Sequence, residues 1–106
     1  MRDVLGRAAL ASLTMFASPA LADAIDGDWC SGAGSERFSI AGPNITTPTG
    51  TRTTGDYSRH AFAYVVPDGD PGAGSEVRMQ LLSEEEVRVV VGGSSPEIWR
   101  RCQLNV

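Results

Sequence analysis

The chain has 106 residues, with 9 basic and 13 acidic side chains and a formal net charge of −4. Hydrophobic residues make up 42% of it, which is ordinary for a folded protein. This length predicts one small domain. The acidic balance argues against nucleic acid and anionic membrane surfaces as partners, because like charges repel.

Residues 1–22 are organised like a signal peptide. A short basic start precedes AALASLTMFA, a segment too short and too weakly apolar for a bilayer span. Ala20 and Ala22 satisfy the small-x-small rule, so cleavage is predicted before Asp23. The alternative is an amphipathic N-terminal helix of the mature protein. The sequence therefore predicts that the protein is exported to the periplasm or secreted, with no membrane span in the mature form.

The predicted mature domain, residues 23–106, is more acidic than the whole chain. Removing Arg2, Arg7 and Asp3 leaves seven arginines against twelve acidic residues, a net charge of −5. All of its cationic side chains except the single histidine are arginines.

The two cysteines, Cys30 and Cys102, lie near the two ends of the mature domain. Export to an oxidising compartment predicts a disulfide between them, worth about 4 kcal/mol in the chain-entropy model. A metal site or a redox pair is the alternative. Zinc sites need three or four ligands and redox pairs usually have CxxC spacing, so the sequence favours a structural disulfide.

Short segments of alternating apolar and polar residues, separated by turn residues, follow one another through the mature domain. In HAFAYVV, for example, His60, Phe62, Tyr64 and Val66 share one face, and Gly55 is a predicted bulge. The fold class is therefore all-β: a small antiparallel up-and-down barrel, or a compact sandwich, of seven or eight short strands. The predicted strands include RFSIAG (37–42), ITTP (45–48), TRTTGDYSR (51–59), HAFAYVV (60–66), EVRMQLLS (76–83), EVRVVVGG (86–93) and EIWRRCQL (97–104).

GDW at 27–29 resembles the Gly-x-Trp signature of the calycin group, the lipocalin-like barrels. The resemblance implies structural roles for Gly27 and Trp29, and a C-terminal arginine packed across the tryptophan. Arg100 and Arg101 are the candidates. A disulfide between the first and last strands also fits a barrel, because an up-and-down sheet must meet itself there.

The middle of the chain, from GPN (42–44) to GDYSRHAFAYVVP (55–67), resembles a group of short exported proteins of Gram-negative bacteria. That resemblance implies export and supplies no activity.

No motif in the sequence carries a reaction. His60 could act as a general base, but it has no second histidine, GxSxG serine or free thiol to work with. The simpler interpretation is a histidine at a strand end beside Phe62 and Tyr64. We therefore predict no catalytic residue, no bound metal and no cofactor.

Three other short patterns have simpler structural interpretations. DGDPG at 68–72 begins like a calcium loop, but Met79 occupies the twelfth position, where that loop needs Glu, so a flexible hairpin loop is predicted. The acidic run 84–86 is interpreted as a solvated turn. The sequon at Asn44 is attributed to chance, because the export signal looks bacterial.

Recognition is the remaining possibility. A predicted binding cluster contains the residue types that dominate interface hot spots: Tyr57, Arg59, His60, Trp99 and Arg101. The alternative is structural, with the aromatic residues in the core and the arginine stems covering apolar surface.

The sequence leaves three functions open. The first is a non-enzymatic binding or accessory module in the periplasm, acting on a protein partner. The second is an inhibitor of a hydrolase such as a lysozyme or a protease, by analogy of architecture alone. An enzyme ranks last, because no catalytic constellation is present.

Overall fold

The computed structural model describes residues 24–103, which form one antiparallel sheet of nine strands. The predicted signal peptide, its cleavage site and the last three residues lie outside this range. We number the described strands β1 to β9 in chain order: Gly27–Cys30, Arg37–Ala41, Asn44–Thr46, Arg52–Thr54, Asp56–Ser58, Ala61–Val65, Glu76–Ser83, Glu86–Val91 and Glu97–Arg101.

The sheet curls until its first and last strands pair. β1 and β9 are antiparallel neighbours, with Arg101 opposite Trp29 and Arg100 opposite Cys30. The other hydrogen-bonded pairs join strands that follow each other in the chain, in the order β4-β3-β2-β1-β9-β8-β7-β6-β5. The result is a nearly closed up-and-down barrel. It confirms the predicted all-β class and selects the barrel over the sandwich.

The two edge strands of the sheet, β4 and β5, are joined at a sharp bend, the corner, in residues 52–58. This bend nearly closes the barrel. β4 pairs with β3, whereas β5 pairs with β6, so this stretch links the two edges of the sheet. Gly55 lies at the corner. A Cβ there would collide with the carbonyl oxygen of Ala63 and lie 2.8 Å from Cε1 of Phe62. The sequence suggested one strand with a bulge here, and the corner explains why nine strands form instead of seven or eight.

The core fills the barrel, because successive side chains of a strand point to opposite faces of a sheet. In β6, Phe62 and Tyr64 are buried, whereas Ala61 and Val65 are exposed. This alternation agrees with the predicted faces of HAFAYVV. Six of the other strands, with the segment before β1 and the residue after β6, complete the core cluster: Ile25, Trp29, Phe38, Ile40, Ile45, Val66, Val77, Met79, Val87, Val89 and Trp99.

The predicted disulfide between Cys30 and Cys102 is present, with Cα atoms 5.0 Å apart and a sequence separation of 72. It links β1 to the residue that follows β9, beside the hydrogen bond from the Cys102 amide to the Asp28 carbonyl. A structural disulfide is typical of an oxidising, extracytoplasmic compartment. Across residues 24–103, no helix has both the length and the apolar character needed to cross a bilayer.

Candidate functional site: a cavity at the mouth of the barrel

The two ends of the barrel are built differently. An up-and-down chain places alternate turns at opposite ends. The end that we call the mouth carries the four longer connections: residues 31–36, 47–51, 66–75 and 92–96. The end that we call the closed end carries three tight turns and the segment that precedes β1: residues 42–43, 59–60, 84–85 and 24–26.

A cavity of about 180 Å³ lies at the mouth. Its walls are inward-facing side chains of five strands, and they are predominantly apolar and aromatic. They include Phe38, Tyr64, Val77, Met79, Val89 and Trp99.

Aromatic side chains form part of the cavity wall. The Phe38 and Trp99 rings pack with their centroids 4.9 Å apart and their planes at 50°. Tyr64 makes a tilted contact with Phe62 of the same strand, β6, with centroids 6.2 Å apart. Trp99 is only 6% exposed although it lies near the mouth, so its ring forms part of the cavity wall and not an outer surface.

Asp70 fastens one side of the mouth. Its carboxylate accepts hydrogen bonds from the hydroxyl groups of Thr47, at 2.8 Å, and Thr51, at 2.7 Å. These bonds tie the loop 66–75 to the turn 47–51. The sequence predicted a flexible hairpin loop here. The loop does join two paired antiparallel strands, and the two hydrogen bonds to Asp70 are a contact that the sequence did not predict.

The same contacts set the charge at this edge of the cavity. Hydrogen bonds from Thr51, Thr47 and Thr49 hold the pKa of Asp70 below its usual range. Burial, followed by the negative charge of Asp70, raises the pKa of Tyr64. At neutral pH this edge therefore carries an ionised carboxylate beside a neutral phenol.

Two glutamates complete the polar rim. Glu36 lies two residues before the buried Phe38, and Glu97 lies two residues before the buried Trp99. Both glutamates line the cavity, as the period of two along a strand requires. The indole nitrogen of Trp99 donates to Oε1 of Glu97 at 3.3 Å, which links the rim to the aromatic wall.

At the closed end, Arg101 covers Trp29. The guanidinium carbon lies 4.1 Å from the centroid of the Trp29 ring. Arg101 also donates to the carbonyl oxygens of Ala24 at 2.7 Å, Asp26 at 2.5 Å and Glu84 at 2.7 Å. The arginine contact implied by the Gly-x-Trp resemblance is thus present, and Arg101 makes it.

Gly27 leaves room for that arginine. Its φ is +123°, and a Cβ at this position would lie 2.6 Å from Nη1 of Arg101. The Trp29 indole is fully buried and donates to the carbonyl of Ile25 at 2.9 Å. The spacing of Gly27 and Trp29 therefore has a local physical basis. Gly27 leaves space for the Arg101 guanidinium, and the Trp29 ring packs against that guanidinium.

Asp26 connects the segment before β1 to the rest of the closed end. Its carboxylate accepts a hydrogen bond from the Tyr57 hydroxyl and another, at 2.8 Å, from the Gly42 amide. Burial alone would raise the pKa of Asp26, but these hydrogen bonds outweigh it and lower the pKa. The closed end is therefore held by polar contacts between three parts of the chain.

The structure divides the predicted binding cluster between the two ends of the barrel. Tyr57, Arg59 and His60 are exposed at or near the closed end, where Tyr57 and Arg101 both contact Asp26. Trp99 instead points inward and lines the mouth cavity. The five residues therefore do not form one patch.

His60 lies in the turn between β5 and β6, exposed, with its carbonyl accepting from the Leu81 amide at 2.8 Å. It is at the opposite end of the barrel from the cavity. Within residues 24–103, no group of three or more His, Cys, Asp or Glu side chains is placed to hold a metal ion.

Sequence reasoning missed Glu36, Glu97 and Asp70. The sequence did contain a signal for the two glutamates. An acidic residue two positions before a core aromatic residue points to the same face of the strand, which is the inner face. E-x-F at 36–38 and E-x-W at 97–99 both have this pattern. Asp70 had no comparable signal, because its partners belong to a different turn and lack any periodic relation to it.

No family model, curated protein or solved structure matches the chain.

Proposed function

We propose that this protein is an exported, non-enzymatic binding barrel that takes a small, largely apolar ligand into the cavity at its mouth. The observation that carries the proposal is the cavity itself, with aromatic and aliphatic walls and a polar rim. Concave apolar sites with a few polar groups at their edge are the usual form of small-molecule sites.

The size of the cavity limits the ligand. Drug-sized ligands occupy pockets of roughly 300–1,000 Å³, whereas an apolar cavity of roughly 150 Å³ is enough for benzene. A cavity of about 180 Å³ therefore suits a ring or short branched chain of about six to eight non-hydrogen atoms. It is too small for a long fatty acyl chain.

The closed end supports a lipocalin-like interpretation. Gly27, Trp29 and Arg101 form the contact that the calycin resemblance implies, and they close the end opposite the cavity. In barrels of that kind, the open end is where a ligand enters. The resemblance therefore favours the mouth as the binding end.

The disulfide supports export, and we attribute the export to a signal peptide at residues 1–22 and the destination to the periplasm. The position of His60 supports a non-enzymatic role, because the chain's one histidine lies at the closed end, away from the cavity.

The inhibitor alternative needs a loop that projects into a hydrolase. The longest described loop, 66–75, is instead tied to the turn 47–51 by Asp70. A protein partner at the exposed residues Tyr57, Arg59 and His60 stays a prediction beside the proposed ligand site.

A neutral probe tests the proposal. Benzyl alcohol, with eight non-hydrogen atoms, should bind the oxidised, exported protein with a Kd of about 1 mM, the range expected for such a small ligand. Isothermal titration calorimetry measures this directly. Absence of binding well above that concentration would contradict the proposal.

Variants locate the binding. Val77→Phe fills the cavity from its wall and should abolish binding, and Val91→Trp should obstruct it from the rim. The control is Val65→Phe. Val65 lies on β6, the strand that pairs with β7, where Val77 lies, but its side chain is on the outer face and is 59% exposed. Thermal melts identify any variant that fails to fold. Unchanged binding in both folded cavity variants would place the ligand elsewhere.

A further inference from the structure

We propose that the mouth cavity selects ligands that carry a positive charge: a small amine or quaternary ammonium compound with an apolar or aromatic body. This inference rests on the proposed function, because it names the chemical class of ligand for the same cavity. It follows from the acidic and aromatic side chains that line the cavity.

The first observation is the sign of the charge around the cavity. Glu36, Asp70 and Glu97 line it, and each comes from a different connection of the mouth or from the strand residue next to one. Among the described residues that line it, none is an arginine or a histidine. The charged residues that line the cavity, within the described part of the chain, are therefore all acidic.

The second observation is that nearby arginines are engaged elsewhere. Arg37, next to Glu36 in the chain, pairs with Asp28 at 2.9 Å. Arg100, three residues after Glu97, pairs with Glu86 at 2.8 Å. Both arginine side chains are on the outer faces of their strands. In the described part of the chain, neither Glu36 nor Glu97 forms an ion pair, so their charge remains available to a ligand.

The third observation concerns the fixed position of the negative charge. Asp70 is held by two threonine hydroxyls, and Glu97 accepts a hydrogen bond from the Trp99 indole. Groups that are already oriented lose little conformational freedom when a ligand binds. Their attraction for a cation is therefore less offset by ordering costs than that of free surface carboxylates.

The aromatic wall acts in the same direction. Trp99, Tyr64 and Phe38 all line the cavity. The face of an aromatic ring is electronegative and attracts ammonium groups, which is how aromatic cages recognise quaternary ammonium ligands. An ammonium with an aromatic or branched body can thus use the rings, the aliphatic side chains and the carboxylates together.

The same arrangement rejects anions. A ligand carboxylate would lie near acidic side chains at the rim of the cavity, and like charges repel. The cavity should therefore exclude benzoate and short fatty acids even though their bodies fit.

Three probes of nearly equal size separate the possibilities: benzylammonium, benzyl alcohol and benzoate. At pH 7 and low salt, benzylammonium should bind about tenfold tighter than benzyl alcohol, as expected for one cation–π contact with partly screened attraction to carboxylates. Benzoate should bind at least about tenfold more weakly than benzyl alcohol. Added salt should reduce the preference for the cation.

The double variant Glu36→Gln, Glu97→Gln tests the source of the preference. It should reduce the ratio of benzylammonium affinity to benzyl alcohol affinity from about tenfold to about threefold or less. The control is Glu84→Gln, Glu85→Gln, which removes the same charge from the turn at the closed end and should preserve the ratio.

The outcomes distinguish this inference from the proposed function. Equal affinity for all three probes, or a preference for benzoate, overturns the inference and leaves the cavity as a binding site. A preference that survives the Glu36→Gln, Glu97→Gln change also overturns it. Failure of benzyl alcohol to bind contradicts the proposed function itself.

Discussion

At the scale of single residues, Arg101 makes the largest number of described contacts at the closed end. It covers the Trp29 ring and supplies donors to three carbonyl oxygens, two of them in the segment that precedes β1. Its neighbour Arg100 has the same chemistry but faces outward, where it pairs with Glu86. The two arginines therefore offer a matched comparison between a half-buried and an exposed guanidinium.

Arg101→Ala should lower the free energy of unfolding by about 2–4 kcal/mol, because it removes the donors to the part-buried carbonyls of Ala24 and Asp26 and uncovers the indole. Arg100→Ala should lower it by less than about 1 kcal/mol, since an exposed ion pair contributes little. Denaturant unfolding of both variants measures the difference. Similar losses for the two variants would mean that the contacts of Arg101 do not stabilise the fold.

At the scale of elements, the alternation of apolar and polar residues was the strongest sequence signal. It predicted the buried face of β6 and the barrel or sandwich architecture, because a period of two is a direct consequence of strand geometry. It could not reveal the break at Gly55, since both halves of the stretch 52–58 look like one polar, half-exposed strand. The change of pairing partner at that glycine depends on close approach to Ala63, which no local pattern encodes.

The candidate site was predicted only in part for a similar reason. Trp99 was predicted as a binding residue, with a position in the core as the alternative, and its indole lies in the cavity wall. The hydrogen bonds from Thr47 and Thr51 to Asp70 join turns that are distant in sequence. Contacts of this kind are decided by the closure of the barrel, so they appear only when the whole sheet is assembled.

Gly55→Ala tests the corner. The new methyl group would collide with the backbone of β6, and the variant should lose about 1–3 kcal/mol of unfolding free energy, as overpacked sites do. Gly93→Ala is the control, because a Cβ at Gly93 meets no atom within 4 Å and its φ is not in the left-handed region. Thermal and denaturant melts compare the two. Equal stability of both variants would contradict the corner geometry.

At the scale of the whole molecule, the barrel has a closed end held by Arg101 and Asp26 and a mouth that carries a cavity and three carboxylates. The disulfide lies at the junction of the first and last strands, where the ring depends on contacts between the two ends of the chain. The negative net charge of the chain agrees with a preference for cationic ligands at its mouth.

Reduction of Cys30–Cys102 should lower the free energy of unfolding by about 2–5 kcal/mol, because the bridge closes a loop that spans most of the folded domain. Melts of the oxidised and fully reduced protein, with free thiols counted in each, measure the effect. Identical melting temperatures would mean that pairing of β1 with β9 is stable without the bridge.

The central claim is that a small ligand binds at the mouth and leaves the closed end unaffected, and the two tryptophans allow one direct test. The indole N–H of Trp99 reports the mouth through its bond to Glu97, and the indole N–H of Trp29 reports the closed end through its bond to Ile25. Both signals can be followed by ¹H–¹⁵N NMR while benzylammonium is added. If the ligand binds at the mouth, the Trp99 signal should show a saturable shift and the Trp29 signal should not change. A shift of Trp29 alone, or no shift of either signal, would contradict it.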